Sequence, residues 1–131
     1  MDLQMNRLAI IGSSNIKYNK CYGSMGAIIE MEEPDIIVSG GAYGADKISE
    51  DIAKELNIKT DIYLPKTNDW DGYKERNILI AENCDKLYNF VIKDDKSYCY
   101  HHKRGGHIKS GGCWTENYAK QLGKQVKVIE I

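Results

Sequence analysis

Apolar and polar positions change rhythm several times along this chain, and each change marks an element. Residues 8–11 (Leu-Ala-Ile-Ile) form an unbroken apolar run ending in Gly12, Ser13 and Ser14, the way a buried strand delivers the chain into a small-residue turn. From Ser24, Met25, Ile28 and Ile29 recur at helical spacing, and Pro34 closes that segment before a second apolar run at 35–38. The second run meets Gly40, Gly41, Ala42, Tyr43, Gly44, Ala45 and Asp46, after which Ile48, Ile52 and Leu56 mark one face of an amphipathic helix. A third strand is predicted at 61–64, stopped by Pro65. A helix then carries Arg76, Asn77, Ile78, Leu79 and Ala81, and a fourth strand follows at 86–92. The last helix is predicted to start near Cys113, with Trp114, Tyr118 and Leu122 at i, i+4 and i+8, and it ends at Gly123 before a fifth strand at 126–131.

Five strands alternating with four helices predict an α/β fold, a Rossmann-like three-layer arrangement with a parallel sheet covered on both faces. The expected strand order is 3-2-1-4-5, with an inserted hairpin or loop after strand four. In such sheets ligands bind beyond the carboxyl ends of the strands, where the strand order reverses. The loops facing that crevice are then 12–14, 40–46 and the long stretch 93–112. At 131 residues the chain fits one domain, 1–131.

Composition narrows the chemistry. A formal net charge of -1 excludes the strongly basic footprint of a protein held to nucleic acid by bulk electrostatics, so nucleic acid is disfavoured as a partner. Four cysteines without a CxxC pair, and no positively charged apolar leader before them, lead us to expect a cytoplasmic protein rather than a secreted disulfide framework. No apolar run reaches the roughly 20 residues needed to cross a bilayer, so no membrane partner is expected.

Gly40, Gly41, Ala42, Gly44 and Asp46 form the most informative segment: residues without bulk let backbone N–H groups approach a phosphate at a positive helix end. The alternative is a tight turn that needs positive φ and close helix–strand packing. The segment is neither GxGxxG nor a Walker A loop. Gly12, Ser13 and Ser14 would add donors to the same pocket. Arg76 offers the guanidinium fork that grips phosphate or carboxylate, and Asn77 beside it offers an amide for a sugar or base. Gly111, Gly112 and Thr115 open the last helix and again put N–H groups and a hydroxyl at a helix N-terminus, with Glu116 one residue further on. Trp114 is a base-stacking candidate, although its spacing with Tyr118 favours the core.

All three histidines lie in one segment, His101, His102 and His107, near Cys99 and Cys113. Soft and imidazole ligands are therefore close in sequence, but the spacing matches no established zinc pattern. The preferred reading is a hairpin turning at Arg104, Gly105 and Gly106, with basic tips that close over phosphates. No metal and no cofactor are assigned.

Taken in order, the run from Val38 to Asp46, then Glu75-Arg76-Asn77, then Cys84-Asp85-Lys86, then Gly111-Gly112 to Glu116, resembles the successive motifs of the SLOG superfamily across nearly the whole chain. The closest likeness is to small stand-alone members with a Ser-Gly-Gly-Ala-x-Gly-Ala-Asp turn. That superfamily includes the Lonely Guy phosphoribohydrolases, molybdenum-cofactor carriers, nucleotide-sensing domains of bacterial defence systems and the DNA-processing protein A family. The resemblance implies binding of a nucleotide or nucleotide derivative, as sensor, carrier or binding module, and self-association as a homodimer. It also implies an alternative activity, hydrolysis of a nucleoside-monophosphate N-glycosidic bond, with Arg76 and Glu116 as catalytic residues. A third possibility within the superfamily is nucleic-acid handling. The phosphoribohydrolase PGGxGTxxE motif is present here without its proline. Counting from Gly112 puts Glu116 at the acidic position and Cys113 where threonine belongs, whereas the alternative register puts Thr115 at the threonine.

Overall fold

The computed structural model describes residues 5–131. Its elements run β1 (Arg7–Gly12), α1 (Tyr18–Glu32), β2 (Ile36–Ser39), α2 (Ala45–Glu55), β3 (Lys59–Ile62), α3 (Trp70–Glu82), β4 (Lys86–Val91), β5 (Lys93–Cys99), β6 (Arg104–His107), α4 (Gly111–Gln121) and β7 (Gln125–Glu130). Five parallel strands form one sheet in the order β3-β2-β1-β4-β7, and β5 and β6 pair separately as an antiparallel hairpin. With the hairpin strands set aside, this is the expected order 3-2-1-4-5, and the hairpin leaves the sheet where an insertion after strand four was expected.

Alternation along β1 explains the three layers. Leu8 and Ile10 point to one face, where Cys21, Met25 and Ile29 of α1 and Ile48, Ile52 and Ala53 of α2 cover them. Ala9 and Ile11 point to the other, against Ile80 and Ala81 of α3 and Ala119 of α4. Nearly all of these side chains are excluded from solvent, each worth roughly 1.5–3 kcal/mol of burial for the larger aliphatic ones. Burial on both faces is why the central strands read as continuous apolar runs.

Four boundaries differ from expectation. Helix α1 begins at Tyr18, six residues before Ser24, because Cys21 is already buried one turn ahead of Met25 and continues the same stripe. Strand β3 lies two residues earlier than 61–64. It is an edge strand whose exposed residues Lys59 and Thr60 pair with β2, whereas Leu64 has left the sheet and lies over Gly41. Helix α4 starts at Gly111, two residues before Cys113. The hairpin turns at residues 100–103, not at Arg104, Gly105 and Gly106, which belong to β6; Lys103 supplies the positive φ of the turn.

Among the described residues no helix is long and apolar enough to cross a membrane.

Candidate functional site

The carboxyl ends of β1 and β2, the start of α4 and the hairpin enclose a cleft of about 880 Å³, within the range of small-molecule sites. It lies at the reversal of strand order between β1 and β4, where open α/β sheets bind ligands. Of the residues anticipated from sequence, the cleft wall contains Gly12, Ser13, Ser14, Gly40, Gly41, Ala42, Asp46, Arg76, Asn77, Gly111, Gly112 and Thr115. Gly44 and Glu116 are not part of that wall.

The loop after β2 is organised from within. Asp46, in the first turn of α2, is buried, and its carboxyl accepts the N–H groups of Gly40 at 3.2 Å and Ala42 at 3.3 Å. The Ser39 hydroxyl accepts the Gly41 N–H at 3.3 Å. Arg76 donates to the Gly40 carbonyl, and its Nε–H donates to Asn77 Oδ1 at 2.8 Å. A Cβ on Gly40 would fall 2.5 Å from the guanidinium and 2.8 Å from the Asp46 carboxyl, so glycine is required for the three groups to meet. Gly44 has φ +76° and would drive a Cβ to 2.3 Å from the Ser13 carbonyl, which itself accepts the Ala45 N–H at 3.3 Å. Three of the amides expected to hold a phosphate therefore already hold the loop together. Burial raises the Asp46 carboxyl to about 7, opposed by the Arg76 charge and the two amides and reinforced by Glu50. Arg76 is lowered by its own desolvation, against the pull of Asp46.

The start of α4 differs. Its N-cap residue, Ser110, makes no side-chain capping bond, and its first turn carries no acidic residue, so the positive end of the helix faces the cleft without an internal anion. A Cβ on Gly112 would meet Asn89 Oδ1 at 2.5 Å, which sets α4 tightly against β4. Gly111 is exposed with open space around its Cβ position. The Thr115 hydroxyl donates to the Gly111 carbonyl at 3.1 Å and so belongs to the helix.

The spacing of Arg76 after Trp70 and Tyr73 suggests a pocket edge, and basic hairpin tips and a stacking Trp114 were expected, but Tyr43 and Tyr100 of the rim were not. Tyr43 (84% exposed), Trp70, Tyr73 and Tyr100 are exposed on the cleft, and Trp70 meets Trp114 edge to face at 5.4 Å. Trp114 stacks on Tyr118 at 5.5 Å, so it serves both the helix and the cleft wall. Lys109 and His101 come from the hairpin, with the Lys109 ammonium 4.5 Å over the Tyr100 ring. Aromatic residues at solvent-facing positions of short polar segments were the available signal.

Glu116 is fully buried on the hairpin side of α4. Its Oε1 lies 2.8 Å from His102 Nε2 and accepts the Asn89 amide at 3.0 Å, while Lys120 Nζ is 3.2 Å from Oε2. Cys99, His102, His107 and Cys113 converge beside it, with one potential ligand atom from each lying within 4.8 Å of all the others. His101 faces the cleft instead.

The fold is similar to that of DNA processing protein A. The match is to the crystal structure of that protein from Streptococcus pneumoniae, with a TM-score of 0.73 and 18% identity, covering 95% of this chain and 50% of the other. The chain thus spans half the length of that protein, and the likeness establishes a shared Rossmann-like fold. The chain matches no protein-family model and no curated protein sequence.

Proposed function

We propose that the cleft binds a nucleotide or a nucleotide-derived phosphate ligand. The observation that carries this reading is the uncapped N-terminus of α4 opening on the same cleft as Arg76, Lys109 and the exposed rings of Trp70, Tyr73 and Tyr43. A helix N-terminus with flanking cations favours an anion, and exposed rings favour a base, since every base has a π-face. The phosphates belong on the α4 and Lys109 side, because the amides of Gly40, Gly41 and Ala42 are committed within their own loop. Ser14, exposed at the end of β1, completes that wall.

Hydrolysis of an N-glycosidic bond ranks below binding. Such a reaction needs a carboxylate near the sugar carbon, and Asp46 is the one acidic residue of the cleft wall among the described residues. It accepts two loop amides, and burial favours its neutral form. A second binding reading, single-stranded nucleic acid across the aromatic rim, is favoured by the fold shared with a protein named for DNA processing.

The deciding experiment is a thermal-shift series with nucleoside mono-, di- and triphosphates, ADP-ribose, dinucleotides and short single-stranded DNA, followed by chromatography of the ligand after long incubation. A small nucleotide that raises Tm by mass action and returns intact supports the binder. Release of free base would overturn it in favour of the hydrolase. Stabilisation by DNA alone, lost steeply with salt, would overturn it in favour of nucleic acid. No shift with any ligand rejects the nucleotide reading altogether.

A further inference from the structure

The β5–β6 hairpin lies off the main sheet, and a two-stranded ribbon is marginal by itself in water. Its own buried cluster is small: Val91, Cys99 and Cys113, with Val128 packed against them. Two of those three buried residues are cysteines, and two histidines sit beside them. His107 and both cysteines are fully buried, and the His102 side chain is 7% exposed. Thiols and imidazoles gathered in one dry pocket need a common partner, because buried polar groups without one are costly.

We propose that Cys99, His102, His107 and Cys113 bind one zinc(II) ion as a closed, four-coordinate structural site. Three of the six ligand-to-ligand distances lie close to the edges of such a site, and all six are within 4.8 Å. His102 Nδ1 lies 3.2 Å from His107 Nε2 and 3.3 Å from Cys99 Sγ, and His107 Nε2 lies 3.9 Å from Cys113 Sγ. A tetrahedron with Zn–N near 2.0 Å and Zn–S near 2.3 Å has N···N edges of about 3.3 Å, N···S edges of about 3.5 Å and an S···S edge of about 3.8 Å. The four residues come from the end of β5, the turn, the end of β6 and the first turn of α4, so the ion would tie the hairpin to the helix.

Neighbouring groups support the same assignment. His102 Nε2 faces Glu116 Oε1 at 2.8 Å, which places its proton on Nε2 and leaves Nδ1 as a lone pair aimed into the cluster. A carboxylate behind a ligating histidine is the usual support of a zinc site. Asn89 donates one amide hydrogen-bonding group toward both Cys113 Sγ at 3.6 Å and Glu116 Oε1 at 3.0 Å, linking a thiolate to that carboxylate. Binding converts two thiols to thiolates and releases two protons to solvent, with no change of oxidation state. Two thiolates and one zinc(II) give a neutral centre, suited to burial. All four positions are filled by protein, so the role is structural rather than catalytic. Because Lys109 and His101 reach the cleft from the same hairpin, the ion would also set one wall of the ligand site.

The test uses the full chain purified without an affinity tag or chelator. Elemental analysis should find about one zinc per chain. After removal of zinc, cobalt(II) should give the intense visible bands of a tetrahedral site and a thiolate charge-transfer band, both displaced by added zinc. Chelation should lower Tm by on the order of 10 °C. The Cys99→Ser/Cys113→Ser variant should lose the metal, and Cys21→Ser and Cys84→Ser, whose cysteines are buried elsewhere, should keep it. If the double variant does not fold, the wild-type cobalt spectrum decides. Less than about one-tenth of a zinc per chain after growth with added zinc, an octahedral cobalt spectrum, or a Cys99–Cys113 disulfide after anaerobic purification would each overturn the proposal. Metal content is read without any cleft ligand, so this test fails or succeeds independently of the nucleotide reading.

Discussion

Two glycine-rich junctions face each other across the cleft, and they use glycine in opposite ways. In the loop after β2, protein fills the space a side chain would occupy: Arg76 and Asp46 crowd Gly40, Leu64 covers Gly41 and the Ser13 carbonyl abuts Gly44. At the start of α4, Gly111 is open to solvent and its helix end is left without a capping side chain or an early acid. The first junction is a self-contained clamp, and the second is a positive terminus open to the cleft. Small residues between a strand and a helix therefore signal close approach, and only hydrogen-bond accounting tells whether the approaching group is protein or ligand.

Substitution by alanine separates the two most sharply. Gly44→Ala adds a Cβ to a residue at φ +76° and within 2.3 Å of a backbone carbonyl that has little room to retreat. Strain and overpacking together predict a loss of about 3 kcal/mol or more in denaturant unfolding. Gly111→Ala meets nothing within 4 Å and should change stability by less than about 0.5 kcal/mol. Equal effects at the two positions would erase the distinction.

Asp46 probes the clamp next. Asp46→Ala leaves the amides of Gly40 and Ala42 without an acceptor inside the loop, a loss of roughly 2 kcal/mol, whereas Asp46→Asn keeps an acceptor oxygen and should cost less. The pH dependence has a definite sign. The carboxyl rises from an ordinary 3.8 to about 7 on folding, chiefly by burial, so the folded state holds the proton more tightly. Its stabilising contribution is complete below about pH 4 and is lost as pH rises toward 7. The Tm of wild type minus that of Asp46→Asn should therefore decline across that interval. Taking the difference removes the opposing contribution of His101, which burial pushes below its ordinary value. A difference that rises with pH would mean that Arg76 and the two amides, rather than desolvation, govern this carboxyl.

The layers, the strand order and the position of the crevice were legible because β1, β2 and β4 are buried on both faces and are mainly apolar, with Asn89 the one polar residue inside β4. Edges were harder. Apolar Ile62 and Leu64 drew the third strand toward residues that are exposed, while its true pairing partners Lys59 and Thr60 look like loop. Twelve of the residues singled out by type line the cleft. What those residues do there was not legible, since nothing in the order Gly-Gly-Ala-Tyr-Gly-Ala-Asp says that the aspartate turns back on its own loop. Glu116 and the cysteine–histidine cluster show the same limit. Cys99, His102, His107 and Cys113 meet only because a hairpin packs against a separate helix, which their spacing along the chain does not reveal.

The smallest effect on the fold and the sharpest test of the second junction come from Lys109→Ala. Lys109 is exposed, with its ammonium 4.5 Å over the Tyr100 ring and 3.4 Å from its hydroxyl, so its removal should shift stability by less than about 0.5 kcal/mol. A phosphate seated at the α4 terminus would nevertheless lose a charge-assisted hydrogen bond, worth about 1.5 kcal/mol, and affinity for the best nucleotide should fall about tenfold by calorimetry. Glu116→Gln, which acts on the far side of the same helix, should change that affinity far less. An unchanged affinity in Lys109→Ala would shift the phosphates toward Arg76 and the loop after β2. That loop would then have to open its own hydrogen bonds to accept them, and binding should become tighter in Asp46→Ala, where those amides are already released.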